Sequence, residues 1–293
     1  MVARNIKLTI IYDGSEYRGW QIQPRQKTIQ GVVTEAIQDL TGCEVRVHGV
    51  SRTDAGVSAL GQVALVQLDS PIPTKNLAKA ITHRLPADIA IAEAVEVPQG
   101  FDVIGEVKSK LYRYTIFTGT LRPVLQIRHC WHLPARLDTA AMAEAGRMLI
   151  GKKDFKSFAA ADDKRVSSVR TIFRCDVNSS CVVRDASCEK RLTAEKMRNT
   201  ENIDSCLRRN DNTEHNTQYA VRSTQYENDW VYVDVEGDAF LYNMVRNIVG
   251  TLVEIGRGRW KPEKISEILQ AKDRRAAGPI APAAGLCLVW IVY

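Results

Sequence analysis

The chain has 293 residues, more than one compact core usually holds, so two domains or one large one are expected. Apolar residues make up 45% and leave ample material for a core, while the net charge of +6 suits an acidic partner without requiring one. Cysteines at 43, 130, 175, 181, 188, 206 and 287 form no CxxC pair and have no paired histidines beside them; this argues against a zinc site and a secreted disulfide framework.

Scattered thiols fit a reducing cytosol. The opening MVARNIKLTIIYDG carries no apolar signal core, and no run downstream is long enough to span a bilayer. A soluble, cytoplasmic protein with no membrane partner is the expectation.

In chain order, RNIKLTII from Arg4 predicts a strand. TIQGVVTEAIQDLTG has apolar residues at helical spacing, a Thr28 suited to the N-cap and a closing Gly42. CEVRVHGV and GQVALVQL read as strands, TKNLAKAITHRL as a helix and IAIAEAVEV as a strand. The order strand, helix, strand, strand, helix, strand is that of a ferredoxin-like unit. It recurs as KLYRYTIF, LDTAAMAEAGRMLIG, VRTIFRCDV, DWVYVDVEG, AFLYNMVRNIVGTLVEIGRG and GLCLVWIVY, with an extra helix at KPEKISEILQAK. The expected fold is therefore α+β: two ferredoxin-like halves, 1–105 and 106–293, forming one extended antiparallel sheet with helices on one side and a central basic cleft. Between the second and third strands of the second half, residues 181–216 carry seven basic and seven acidic residues with little apolar periodicity, so a mobile insertion is expected there.

Three stretches carry candidate chemistry. VSRTDAGVSA places Arg52, Thr53 and Asp54 between two strands, followed at once by Ala55 and Gly56. An ordinary turn would use the same residues. With no second carboxylate close by, a metal site or an Asp-x-Asp phosphoryl site is disfavoured, which leaves a lone carboxylate for covalent or acid-base work. YDGSEYRGWQIQPRQKTIQG interleaves Arg18, Trp20 and Gln21 in a loop, a composition suited to phosphates and base faces; a solvated loop with two aromatics tucked into the core is the plainer alternative. KLYRYTIF puts Tyr112 and Tyr114 on one strand face and Arg113 on the other, and Arg246 interrupts an apolar helix, where its guanidinium needs an anion.

These motifs, together with KDFKSFA, VRTIFR and AGPIAPAAGLCLVWIVY, occur in the order found in the TruA family of tRNA pseudouridine synthases, which the chain resembles over nearly its whole length outside 181–216. The resemblance implies that Asp54 is the essential catalytic aspartate and that Arg52 fills the space left by a flipped-out base. It likewise implies that Tyr112 stacks on the target base and takes part in proton transfer, that Arg246 pairs with Asp54, and that Leu286 lines the pocket. It also implies isomerisation of uridine to pseudouridine at positions 38, 39 and 40 of the tRNA anticodon stem-loop, by a homodimer and with no cofactor or metal. Two positions depart from the family pattern. FDVIGEVKSKLYRY replaces a segment like FDARFSAKSKTYRY, and Ser58 stands where RTDAGVHA has a histidine. The first change predicts different RNA contacts before Tyr112; the second predicts that an imidazole hydrogen bond is lost or replaced. A silent tRNA-binding module on the same scaffold is the main rival, and a small-molecule aspartyl hydrolase is the second.

Overall fold

The computed structural model describes residues 3–163, 165–180 and 230–293. The insertion expected at 181–216 lies outside the described residues. Ten strands of the described residues form one open, mixed sheet in an α+β fold: β1 (Arg4–Tyr12), β2 (Val47–Gly49), β3 (Ser58–Leu68), β4 (Ile89–Val97), β5 (Ser109–Phe117), β6 (Trp131–His132), β7 (Gly151–Asp154), β8 (Val169–Ser180), β9 (Trp230–Gly237) and β10 (Leu286–Val292). The main path runs β4-β1-β3-β10-β5-β9-β8-β7, with β2 on β3 and β6 on β5. Among the described residues five helices accompany it: α1 (Ile29–Thr41), α2 (Thr74–Thr82), α3 (Thr139–Arg147), α4 (Met244–Gly256) and α5 (Lys264–Ala271).

Local chemistry accounts for most of these elements. On β1, Ile6, Leu8, Ile10 and Tyr12 alternate inward, each burial stabilising the fold by about 2 kcal/mol at most. Thr28 caps α1 by accepting from the Gly31 N–H, and Gly42 closes it at φ 68°, donating to the Gln38 carbonyl at 2.8 Å. The stripe Ile29, Val33, Ala36 and Ile37 is the buried face. Helix α4 is different in kind: every residue except Arg246 is buried, as befits a helix packed on all sides.

The main hydrophobic core takes in buried residues of the helices and of most strands, from Ile6 to Leu288. A smaller cluster of Val50, Val63 and Val103, flanked by Phe101 and Tyr293, contains no helical residue.

Three features differ from expectation. The sheet is not wholly antiparallel: β10 runs parallel to β3, pairing Cys287 with Ser58 and Leu288 with Ala59, and β6 runs parallel to β5. The last strand enters between β3 and β5 with a direction set by its antiparallel ladder to β5. The helix expected from Ala239 begins only at Met244, because Asn243 adopts φ 61°, which a right-handed helix cannot propagate. The strand expected over CEVRVHGV shortens to Val47–Gly49.

The β10 seam is what builds the site. Leu286 pairs with Tyr114 and Leu288 with Tyr112, so the loop that leads into β3 lies beside the face of β5 that carries both tyrosines.

Candidate active site

A cleft of about 1400 Å³ opens over this seam, and Arg52, Asp54, Tyr112, Arg246 and Leu286 all line it. The Asp54 loop is fastened at both ends and in the middle. The Val50 N–H donates to the Val63 carbonyl at 2.9 Å, the Trp20 N–H to the Thr53 carbonyl at 3.0 Å, and the Gly56 N–H to the Tyr17 carbonyl at 3.2 Å. The Thr53 and Tyr12 hydroxyls meet at 2.8 Å, and the Gln62 side-chain amide holds both the N–H and the carbonyl of Ser51. Gly56, at φ 80°, completes the turn that lets the Val57 N–H reach back to the Asp54 carbonyl at 3.1 Å. The Gly14 N–H donates to Ser58 Oγ at 3.0 Å, so a hydroxyl ties this loop to the next where the family pattern has an imidazole.

Asp54 and Arg246, 192 positions apart, form an ion pair with Nη1 3.2 Å from Oδ2. The guanidinium is held elsewhere too: Nε donates to the Ala281 carbonyl at 2.8 Å and Nη1 to Asn243 Oδ1 at 3.0 Å. Burial raises the Asp54 carboxyl above its ordinary pKa, and the Arg246 charge and hydrogen bond offset only part of that rise. The carboxylate is thus desolvated and aimed, with one cation to keep it ionised.

Tyr112 is buried, packs edge-on against Phe240 with ring centroids 5.2 Å apart, and shares a 2.9 Å hydrogen bond with Ser51 Oγ. Burial pushes its phenol up to about 12, reinforced by the nearby Asp54 charge, so the hydroxyl is protonated at neutral pH. On the opposite face of β5, Arg113 grips Asp234 of β9 with two hydrogen bonds of 2.8 Å, as the alternation of the strand requires.

The remaining predicted residues divide. Arg52 is exposed at the cleft and makes no hydrogen bond or ion pair with the described residues. Arg18 is exposed on the cleft wall, and Gln21 lines it while donating to Gln30 Oε1 at 2.7 Å. Trp20 does not join them. Its indole is 1% exposed, lies against Tyr12 and packs over Gly49, where a Cβ would fall 2.1 Å from Nε1. Tyr17 is also buried, so the two aromatics of the loop are tucked into the main hydrophobic core, while Arg18 and Gln21 stay on the cleft wall.

Sequence reasoning did not single out Lys110, Asn243 or Ile104. Lys110 lines the cleft two positions before Tyr112 on the same strand face, and its Nζ donates to the Val50 carbonyl at 3.3 Å. Burial lowers its pKa to about 8, with Arg165 adding to the effect. The strand alternation that placed Tyr112 and Tyr114 extends to Lys110 and was the available signal. Ile104 is 62% exposed at the cleft, in the loop that departs from the family pattern, and Asp102 Oδ1 fastens that loop by accepting from the Ile104 and Gly105 N–H groups. Among the described residues no three His, Cys, Asp or Glu side chains converge to hold a metal ion, and no helix is long and apolar enough to cross a membrane.

A desolvated aspartate paired to one arginine, beside a tyrosine in an open cleft, has the chemistry of a nucleophile or base that a large substrate can reach. The family model described as tRNA pseudouridine synthase matches residues 9–104 and 145–293. The chain is 40% identical over 290 residues to tRNA pseudouridine synthase A of Moorella thermoacetica, covering 98% of this chain and 99% of that one. It is 36% identical over 290 residues to the protein of the same name from Caldicellulosiruptor saccharolyticus, covering 99% of this chain and 100% of that one. The chain belongs to the tRNA pseudouridine synthase family.

Proposed function

We propose that the protein isomerises uridine to pseudouridine in tRNA, at positions 38, 39 and 40 of the anticodon stem-loop, with Asp54 as the group that acts on the ribose. The observation that carries this reading is the Arg246–Asp54 pair at 3.2 Å on the wall of a cleft that also receives Tyr112. In the reaction the N1–C1′ bond breaks, the uracil turns, a C5–C1′ bond forms, and the proton lost from C5 is balanced by one gained at N1. Atoms and electrons are conserved within the nucleoside. Asp54 joins the sugar covalently or removes a sugar proton to give a glycal-like intermediate; both routes begin from the ionised carboxylate that Arg246 favours.

A uridine inside a stem must leave the stack to reach Asp54. Arg52, exposed and with no hydrogen-bond or ion-pair partner among the described residues, suits the vacated space. Leu286 is 6% exposed and offers an apolar wall to the base, and the protonated Tyr112 hydroxyl is a hydrogen-bond donor within the pocket. Arg18, Arg52, Lys110 and Arg165 along the cleft support its reading as the basic groove for the RNA backbone, with Gln21 as a further polar contact.

Strand order supports the reading of two ferredoxin-like halves, 1–105 and 106–293. In the first, β4-β1-β3-β2 lie side by side, and in the second β10-β5-β9-β8 repeat the same 4-1-3-2 order. The protein acts in the cytoplasm, a reading that rests on its scattered thiols, and as a homodimer, a reading that rests on the family resemblance.

The test is incubation with an unmodified tRNA transcript in the absence of any cofactor, followed by mapping of pseudouridine by chemical adduct and primer stops. Stops in the anticodon stem-loop with the wild type and none with Asp54→Ala are expected. Tight, salt-sensitive tRNA binding without stops would replace the reading with that of a silent tRNA-binding module.

A further inference from the structure

Among the described residues only Arg25, Asn243 and Lys272 have a positive φ without being glycine. Lys272 closes α5 in the left-handed conformation with which helices commonly end, and Arg25 lies in an exposed loop. Asn243 is the one that opens a helix. An N-cap residue normally sits in extended backbone, and its side chain accepts an N–H from the first turn. Asn243 does neither: its φ is 61°, and its side chain makes no cap bond.

Asparagine is among the best capping residues, so the amide has been diverted from a favourable local bond. Its Oδ1 accepts instead from Arg246 Nη1 at 3.0 Å. The same nitrogen donates to Asp54 Oδ2 at 3.2 Å, so its two hydrogens serve one partner each. Ala281 holds Nε at 2.8 Å, and the Ala281 N–H returns a bond to the Arg246 carbonyl at 3.2 Å. The plane of the guanidinium is therefore set by two protein oxygens, one of them a side chain that can be removed.

We propose that Asn243 is a positioning residue, whose left-handed backbone and amide oxygen hold the Arg246 guanidinium against the Asp54 carboxylate. An unusual backbone conformation at a site is evidence of a constraint that the surrounding structure maintains. Without the amide oxygen, Nη1 has a free hydrogen and the guanidinium pivots about its Nε bond. Asp54 then loses part of the cation that counters its burial. The ionisable groups that bear on Asp54 are Arg246 from α4 and the Tyr112 phenol from β5, with Arg52 two positions away on its own loop; the Tyr114 phenol faces Arg246.

Asn243→Gly separates the amide from the backbone, because glycine keeps φ 61° without strain. The expected result is a melting temperature at or above that of the wild type, kcat lowered about tenfold, and KM for tRNA unchanged within about twofold. The acid limb of the kcat profile should move to higher pH, together with the Asp54 titration followed by its carboxyl 13C resonance. Asn243→Ala should share these changes and also lose melting temperature, since alanine is strained at that φ. A wild-type kcat and an unmoved Asp54 titration in Asn243→Gly would overturn the assignment. The kinetic readouts rest on the isomerase reading, whereas the 13C titration does not. An inactive wild type would defeat the former while the resonance still decided the role of Asn243.

Discussion

Arg246→Ala isolates what the ion pair contributes to the chemistry. The two side chains are 16% and 21% exposed and their charged atoms are 3.2 Å apart. With charge centres ~4 Å apart and an effective dielectric of ~20, the attraction is about 4 kcal/mol, and partial exposure leaves about half of it. That attraction acts only on the ionised form of Asp54 and so holds its pKa down. The Asp54 carboxyl already sits above its usual range because burial outweighs the arginine. Removing Arg246 raises it further, so the ionised fraction falls and the acid limb of kcat moves to higher pH. Loss of a fixed guanidinium at the reacting centre adds a pH-independent fall in kcat on the order of 100-fold. Affinity for tRNA should change by less than about threefold, since many phosphates contribute to binding. Release of tritium from tRNA labelled at uridine C5 measures the turnover, and filter binding measures the affinity. Equal losses in rate and affinity, or an acid limb that stays in place, would refute the role assigned to Arg246.

Tyr112→Phe keeps the ring and removes the hydroxyl that meets Ser51 Oγ at 2.9 Å; full activity in single turnovers would exclude proton transfer by Tyr112. Lys110 loses its charge as pH rises through about 8, so tRNA affinity should weaken between pH 7 and 9 in the wild type and much less in Lys110→Gln, as titrations at fixed salt would reveal. Gly49→Ala brings a methyl within 2.1 Å of Trp20 Nε1 and should cost about 2 kcal/mol in urea denaturation, with the indole fluorescence reporting its displacement. Arg113→Ala leaves Asp234, 5% exposed, without its two hydrogen bonds and should cost about 2 kcal/mol by the same measurement while sparing the pH profile of kcat.

Local chemistry in the sequence determined the elements and their faces. Thr28 and Gly42 mark the ends of α1 because a hydroxyl satisfies an orphan N–H and a glycine accepts φ 68°. Period-two alternation put Tyr112 and Tyr114 opposite Arg113, and an isolated guanidinium in an apolar helix signalled that Arg246 would meet an anion. The motif order was sufficient to indicate the family, since each motif is a short contiguous string. What only the tertiary structure decided involves contacts between distant segments. The partner of Arg246 lies 192 positions away, and the parallel seam of β3 with β10 places it there. The burial of Trp20 depends on the absence of a side chain at Gly49, a vacancy that no local pattern announces. The left-handed Asn243 ends an apolar periodicity that by itself continues the helix back to Ala239. Periodicity records which face of an element is apolar; it does not record which other element meets that face, and the Asp54–Arg246 arrangement is made at those meetings.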